Sequence, residues 1–142
     1  MDIGALSAEL IERGSVFVSK ELFQNDNIDH DKFFVIIGED NDNYVGYFFI
    51  NSNIHFHIKS TQDFMDMQMP IKRSNYPKFL KYDSFIGCHD LKKVSKERLT
   101  EHIKTGTAEF RDMLKQNDLE LLLENTRRSK LFSKKEKETY FK

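Results

Sequence analysis

Apolar runs in the first half of the chain have the length and composition of strands. Val16–Val18 is a short run, and KFFVIIG and YVGYFFIN are longer runs separated by the polar segment EDNDN. Both long runs are rich in β-branched and aromatic residues and are too short for a typical helix. Because EDNDN is rich in turn-forming residues, the sequence predicts a β-hairpin made of Lys32–Gly38 and Tyr44–Asn51.

Strict alternation of apolar and polar residues follows the hairpin. One face of the predicted strand carries Ile54, Phe56 and Ile58, and the other face carries His55, His57 and Lys59. Further along, MDMQM predicts a strand or loop edge with its methionines facing inward, and SFIGCHDL predicts a last main strand that ends near Leu91.

Helical patterns occupy the two ends of the chain. A short N-terminal helix is predicted to end near Gly14, and several helices are predicted after the last strand. The first is Val94–Lys104, with Leu99 and Ile103 on one stripe. The second is capped by Thr107 and holds Phe110, Met113 and Leu114, and the third is capped by Asp118 and holds Leu119, Leu122 and Leu123. The last begins with a capping box at Ser133–Glu136. Strands followed by a run of helices indicate an α+β fold.

Length and composition indicate one domain, residues 1–142. The chain has a single cysteine, no apolar run near 18 residues and no hydrophobic region typical of a signal peptide. We therefore expect a protein of the reducing cytoplasm that does not enter a membrane.

The near-neutral net charge of −1 hides a gradient along the chain. Residues 1–50 hold three Lys/Arg and ten Asp/Glu, a net of −7, whereas residues 127–142 hold seven Lys/Arg and two Glu, a net of +5. Arg127, Arg128 and Lys130 are candidate RNA-binding residues, because clustered cations neutralise phosphates. The same charges also suit solvated helix ends, where cations complement the helix dipole.

The sharpest local motif is the pair His55 and His57. The sequence has no phosphate-cradling glycine loop, paired CxxC, HExxH or GxSxG motif, which argues against those enzyme classes. Two histidines on one strand face could bind a metal if Cys88, His89 or Asp90 supplied a further ligand. With Lys59 they could instead transfer protons during RNA cleavage. They could also simply form the polar face of an amphipathic strand.

Three segments resemble the MazF/PemK-type toxins of toxin–antitoxin systems. The segments are DKFFVIIGED, GYFFINSN and YDSFIGCHDLKKVSKERL, and the resemblance runs from about Gly14 to about Ile103. It implies a small SH3-like antiparallel β-barrel over about residues 14–92, followed by a helical part over about residues 94–142. It also implies a homodimeric endoribonuclease that needs no metal or other cofactor, cleaves single-stranded RNA and is neutralised by an antitoxin protein.

The residues that carry catalysis in that family are only partly matched. Lys32 and Phe33 stand where the family has an Arg-Pro pair, and Asn51 or Ser52 stands where it has Thr or Ser. Lysine keeps the charge of arginine but lacks its planar fork. We therefore take Lys32 and Ser52, together with His55 and His57, as the candidate catalytic residues, and Lys59 as a candidate RNA contact.

Two other functions fit the same sequence. The incomplete catalytic pair suits a non-catalytic SH3-like module that binds RNA or a protein partner, because a fold does not fix its function. The histidine pair with the cluster Cys88–Asp90 suits a metal-dependent enzyme. RNA cleavage in the presence of EDTA, growth arrest on expression, and metal content distinguish these three functions experimentally.

Overall fold

The computed structural model of the protein describes residues 11–26, 31–51 and 68–141. The predicted N-terminal helix lies almost entirely outside these ranges, and the predicted strand from Ile54 to Lys59 lies entirely outside them. Residues 11–14, where that helix was expected to end, form coil and turn, and Gly14 has the left-handed φ of 96°.

Seven strands form one antiparallel sheet in the described part of the chain. They are β1 Ser15–Ser19, β2 Lys32–Glu39, β3 Asn43–Asn51, β4 Gln68–Ile71, β5 Ser84–Gly87, β6 Lys92–Ser95 and β7 Ala108–Met113. The order across the sheet is β4-β5-β3-β2-β1-β7, and β6 also pairs with β3. The predicted β2–β3 hairpin is confirmed, as is the α+β class. With β4 and β7 at opposite ends, these strands form an open sheet.

Strand β3 pairs with two strands, β5 and β6, along one of its edges. Phe49 pairs with Ile86 of β5, and Gly46 pairs with Lys92 of β6. The segment SFIGCHDL therefore does not form one continuous strand to Leu91, because the chain turns after Gly87 and rejoins β3 as β6.

Three α-helices follow or flank the last strands. They are α1 Lys96–Thr105, α2 Gln116–Arg128 and α3 Lys134–Tyr140, and two short 3-10 turns lie at Glu21–Asp26 and Arg73–Asn75. Helix α1 buries Leu99, as its apolar stripe predicts, although Val94 belongs to β6. The predicted capping box of α3 is confirmed, because Ser133 and Glu136 exchange both side-chain-to-backbone bonds.

The helix predicted after Thr107 is wrong, since residues 108–113 form β7. Helix α1 ends at Gly106, whose left-handed φ of 79° turns the chain sharply. Thr107 is then held to β1 by the Ser19 hydroxyl, which donates to the Thr107 carbonyl at 2.6 Å. Pairing with β1 overrides the helical spacing of Phe110 and Met113, because strand formation depends on tertiary partners more than on local pattern.

The predicted helix around Leu122 is confirmed as α2, but Asp118 is not its N-cap. The N-cap is Lys115, and Asp118 lies in the first turn. The Asp118 carboxylate accepts a hydrogen bond from the buried Tyr76 hydroxyl, which also accepts from the Lys115 backbone N–H. Tyr76 therefore joins the start of α2 to the core.

The sheet is buried on both faces, which explains the continuous apolar runs of β2 and β3. Val35 and Tyr47 belong to one apolar cluster, and Phe34 and Ile36 belong to the other. The first cluster is covered by residues of α2 and of the chain around α3, including Leu122. We call this the α2 face. The second is covered by α1 and the first 3-10 turn, and we call it the α1 face.

The segment that contains α3 belongs to the core. Phe132 and Phe141 are 9% and 1% exposed and pack on each other, with ring centroids 5.6 Å apart. Within the described ranges, no helix has the length and apolar character needed to span a bilayer.

Candidate nucleic-acid interface

The structure describes four of the eight residues that the sequence proposes for the site. Lys32, Arg127, Arg128 and Lys130 lie in the described ranges. The other four, which are Ser52, His55, His57 and Lys59, lie outside them. The geometry of the interface is therefore built from the described residues alone.

Lys32 is the first residue of β2 and is half-buried on the α1 face. Its Nζ lies 5.6 Å from the centroid of the Phe48 ring. Burial lowers the pKa of the Lys32 ammonium group. A partly desolvated ammonium group attracts an aromatic face, and would attract a phosphate, more strongly than a fully hydrated one.

A second lysine shares the same aromatic ring. Lys92 begins β6, and its Nζ lies 5.7 Å from the Phe48 centroid. The ring is fixed from below by Phe23, at a centroid distance of 4.9 Å and nearly perpendicular, and by Phe34 at 5.8 Å. Phe48 is thus a half-buried, rigid ring between two cations.

The register of the sheet brings these three residues together. Phe48 pairs with Phe34, so the same register places Lys32 two residues further along β2 on the same face. Lys92 pairs with Gly46, which shares that face with Phe48 because it is two residues away on β3. We call Lys32, Phe48 and Lys92 the cation–aromatic surface.

His89 lies next to this surface, in the turn between β5 and β6. Both His89 and Phe48 lie close to Gly87. The His89 Cε1 atom is 3.2 Å from the position that a Cβ of Gly87 would occupy, and the Phe48 carbonyl oxygen is 3.4 Å from the same position. The His89 Nδ1 atom is 2.9 Å from Nε2 of the buried Gln68. This contact helps to hold the imidazole ring in one orientation.

One carboxylate modulates the charge of the surface. Asp90 lies 3.1 Å from the Lys92 ammonium group, and its side chain is 55% exposed. The Lys92 side chain is 25% exposed, so the pair lies at the edge of solvent. Asp90 therefore offsets part of the positive charge of the cation–aromatic surface.

The arginines of the chain's basic end do not join this surface. They lie on α2, which covers the opposite face of the sheet. Arg127 donates from Nε to the Phe141 carbonyl, and Arg128 pairs with Glu124 one turn earlier at 2.6 Å. Lys130 is exposed just beyond the helix. Two of the four predicted RNA contacts, Arg127 and Arg128, are thus engaged within the protein.

Arg13 reinforces the docking of α3. Its Nη2 donates to the Tyr140 carbonyl at 3.0 Å. Burial and the neighbouring positive charge of Arg127 lower the pKa of the Arg13 guanidinium group. Two guanidinium groups therefore meet the carbonyl oxygens at the C-terminal end of α3, where the helix dipole favours positive charge.

Cys88 and His89 are sequence neighbours with opposite environments. The Cys88 side chain is 2% exposed in the core, and burial raises the pKa of its thiol to about 12. A thiol that stays protonated at neutral pH is a poor nucleophile and a poor metal ligand. In the residues that the structure describes, no three His, Cys, Asp or Glu side chains cluster as a metal site.

Sequence reasoning identified Lys32 but missed Phe48 and Lys92 as members of the interface. Phe48 looks like any core residue of an apolar run, and Lys92 lies 44 positions later in a strand with only one apolar residue, Val94. Lys92 lies in the resembling segment YDSFIGCHDLKKVSKERL, but the resemblance gave it no role in the site. His89 was singled out, but as a potential metal ligand.

A scan of family models finds no match to this chain, and neither does a search of curated proteins.

Proposed function

We propose that this protein binds single-stranded RNA on its cation–aromatic surface, in the manner of a MazF/PemK-like toxin. The observation that carries the proposal is that two ammonium groups, those of Lys32 and Lys92, lie 5.6 and 5.7 Å from the centre of one rigid ring, that of Phe48. The proposal includes the homodimer and the antitoxin partner that the resemblance implies.

Single-stranded RNA matches this chemistry better than duplex. Unpaired bases stack on aromatic side chains, and the adjoining phosphates bind the flanking cations. In a duplex the bases are already stacked on one another, so Phe48 would have no partner.

Cleavage of the bound strand is the stronger form of the proposal. Attack by a 2′-hydroxyl needs a base, an acid and a cation near the pentacoordinate phosphate. Lys32 is the proposed cation, and Ser52, His55 and His57 are the proposed contributors to proton transfer or phosphate contact. A non-catalytic RNA-binding module remains the alternative, and the two are separated by a cleavage assay.

Binding is tested with a fluorescent 12-nucleotide single-stranded RNA at several salt concentrations. We expect Phe48→Leu to weaken binding by about 5- to 100-fold, because loss of one base–aromatic stack costs about 1–3 kcal/mol. Leucine keeps much of the apolar contact with Phe23 and Phe34. Lys104→Gln, on the exposed end of α1, is the matched control and should bind as the wild type does.

Two results would contradict the proposal. One is wild-type binding that is absent or independent of salt, since phosphate contacts release counterions and make affinity salt-dependent. The other is an equal affinity for wild type and Phe48→Leu. A salt-independent partner recovered in place of RNA would favour the protein-binding module.

Cleavage is tested by incubating the same RNA with the protein and excess EDTA. We expect products that end in a 2′,3′-cyclic phosphate, and a strong loss of rate in Lys32→Gln. Intact RNA bound with wild-type affinity would leave the non-catalytic module as the function. Cleavage that persists in a His55→Ala/His57→Ala double variant would remove the two histidines from the mechanism.

A further inference from the structure

A second basic region lies in the connection between β4 and β5. Residues 72–82, which we call the basic loop, contain four cations and no acidic residue. All four are exposed, and they are Lys72, Arg73, Lys78 and Lys81. Tyr82, at the end of the loop, is 62% exposed, the highest value among the large apolar side chains of the described residues.

The basic loop is held in a fixed shape by its own buried residues. Tyr76, Phe79 and Leu80 are between 1% and 7% exposed and belong to the core cluster on the α2 face. The Arg73 backbone N–H donates to the Asp83 carboxylate at 2.9 Å, which closes the loop across its base. The cations therefore project from an anchored segment, which lowers the entropy lost when they bind a ligand.

The charges of the basic loop are available to a ligand. None of its four cations forms an ion pair with a carboxylate of the described residues, in contrast to Lys96, Arg111 and Arg128. The nearest acid along the chain, Asp83, is engaged by the Arg73 backbone. A cluster of unpaired cations with an exposed aromatic residue is typical of a surface that binds a polyanion with stacked bases.

The basic loop adjoins the end of the sheet that carries Lys32. Phe33, the next residue of β2, lies on the α2 face and packs against Phe79 of the loop with ring centroids 5.3 Å apart. An RNA strand that runs from the cation–aromatic surface to the loop therefore passes over the end of the sheet. Ser84, at the foot of the loop, pairs with Asn51 at the end of β3, and β3 pairs with β2. Two strand spacings of about 4.8 Å put the foot of the loop roughly 10 Å from the start of β2.

We propose that the basic loop extends the RNA-binding track beyond the cation–aromatic surface. The nucleotide on Phe48 occupies the first position, and the loop cations bind phosphates of the same strand further along, with Tyr82 stacking against one of its bases. This inference rests on the proposed function. It predicts that a longer RNA binds more tightly than a short one because the longer RNA also contacts the basic loop.

A nucleic-acid strand suits the loop better than an acidic protein does. The cations are spread over residues 72–81 and point into solvent around three buried anchors, so a flexible backbone with one charge per nucleotide can reach each of them. The exposed ring of Tyr82 offers a base-stacking face, and stacking on an aromatic ring is worth about 1–3 kcal/mol. An acidic peptide would use the charges but not the ring.

The test compares the affinities of a four-nucleotide and a twelve-nucleotide single-stranded oligo(U), each measured by fluorescence anisotropy over a range of salt. We expect Lys78→Gln/Lys81→Gln to weaken binding of the twelve-mer about 5- to 20-fold and to reduce its salt slope by about 1.4, since each single-strand phosphate contact contributes about 0.7. Four-mer binding should change less than about twofold. Lys32→Gln/Lys92→Gln should weaken both oligonucleotides.

Tyr82→Ala separates stacking from charge. We expect it to weaken the twelve-mer without changing the salt slope, because it removes a stack and no cation. Lys104→Gln/Lys134→Gln, two exposed cations outside the loop, is the matched control for the double lysine variant. It should leave both affinities within about twofold of the wild type.

The outcomes distinguish the two proposals. Twelve-mer binding that is unaffected by Lys78→Gln/Lys81→Gln overturns the extended track and leaves the cation–aromatic surface intact. Equal weakening of the four-mer and the twelve-mer also overturns it, because the loop would then act on the first position. Absence of RNA binding by the wild type overturns both proposals. Loop-dependent binding of poly-glutamate without RNA binding would assign the loop to an acidic protein partner.

Discussion

Two basic regions of this protein use their charge in opposite ways. The region after Glu124 is the more basic by sequence, with a net charge of +5 over residues 127–142. Its arginines hold the protein together, since Arg127 donates to the Phe141 carbonyl and Arg128 pairs with Glu124. The basic loop, residues 72–82, makes no described ion pair and directs its cations into solvent.

The difference teaches that the density of cations in a sequence does not give the charge available to a ligand. Helices place acids one turn before basic residues, as Glu124 and Arg128 show, and helix ends leave carbonyl oxygens that guanidinium groups satisfy. The basic loop has neither feature. Its anchors are apolar side chains, and so its cations are left for binding.

The largest expected effect comes from removing the anchor of the C-terminal segment. Phe141 is 1% exposed and packs against Phe132 and Tyr140. Phe141→Ala should lower the free energy of unfolding by about 3–5 kcal/mol, as for other buried phenylalanines. Denaturation with urea, followed by circular dichroism, measures it. A loss below about 1 kcal/mol would mean that the C-terminal segment contributes little to stability, and the contrast with the basic loop would then be wrong.

A smaller loss is expected when the basic loop is detached from α2. Tyr76→Phe removes the hydroxyl that donates to Asp118 and accepts from the Lys115 N–H. The cost should be about 1–3 kcal/mol, because the partner groups lose a buried hydrogen bond. Tyr82→Phe, on the exposed end of the loop, is the control and should be neutral in the same urea titration.

Arg127→Gln should act mainly on stability. The loss of its bond to the Phe141 carbonyl should cost about 1–2 kcal/mol, since hydrogen bonds from charged donors are worth more than neutral ones. Relief of the repulsion between Arg127 and Arg13 offsets part of that cost. RNA affinity should change less than that of Lys78→Gln/Lys81→Gln. A larger loss of RNA affinity than of stability would move the interface to α2.

The smallest effect is expected at the exposed ion pair of α2. Arg128→Gln breaks the contact with Glu124 and should cost about 0.3–0.5 kcal/mol, the usual value for helix pairs of this spacing. Binding of the twelve-nucleotide RNA should stay within about twofold. If the affinity fell by tenfold or more, Arg128 would be a direct RNA contact, as its position in the sequence first suggested.

Local sequence patterns predicted the elements that depend on local contacts. The β2–β3 hairpin follows from two apolar runs and a turn, and the α3 capping box follows from Ser133 and Glu136. Strand β7 could not be predicted in this way. The spacing of Phe110, Met113 and Leu114 fits a helix, and only pairing with β1, almost a hundred residues earlier, makes the segment a strand.

The interface was also predictable only in part, because it too depends on strand pairing that local sequence patterns do not show. Lys32 was identified as a site residue by its place in a resemblance, whereas Lys92 lies in another resembling segment that gave it no such role. Phe48 became a candidate only when the register of β3 with β2 and β6 put both lysines over its ring. Such a site depends on strand register. Register is set by the hydrophobic pattern of the strands and by turn geometry, and no short sequence motif encodes it.

The pairing of β1 with β7 also sets the order in which the protein can be completed during synthesis. Ser15 pairs with Met113, so the outer edge of β1 has no partner until the ribosome has made β7, almost a hundred residues later. Until then β1 and β2 present an open, apolar edge of the kind that chaperones recognise and that aggregates readily. Long-range pairing of this kind slows folding, so the edge of β1 stays open to aggregation while the residues between β1 and β7 are translated.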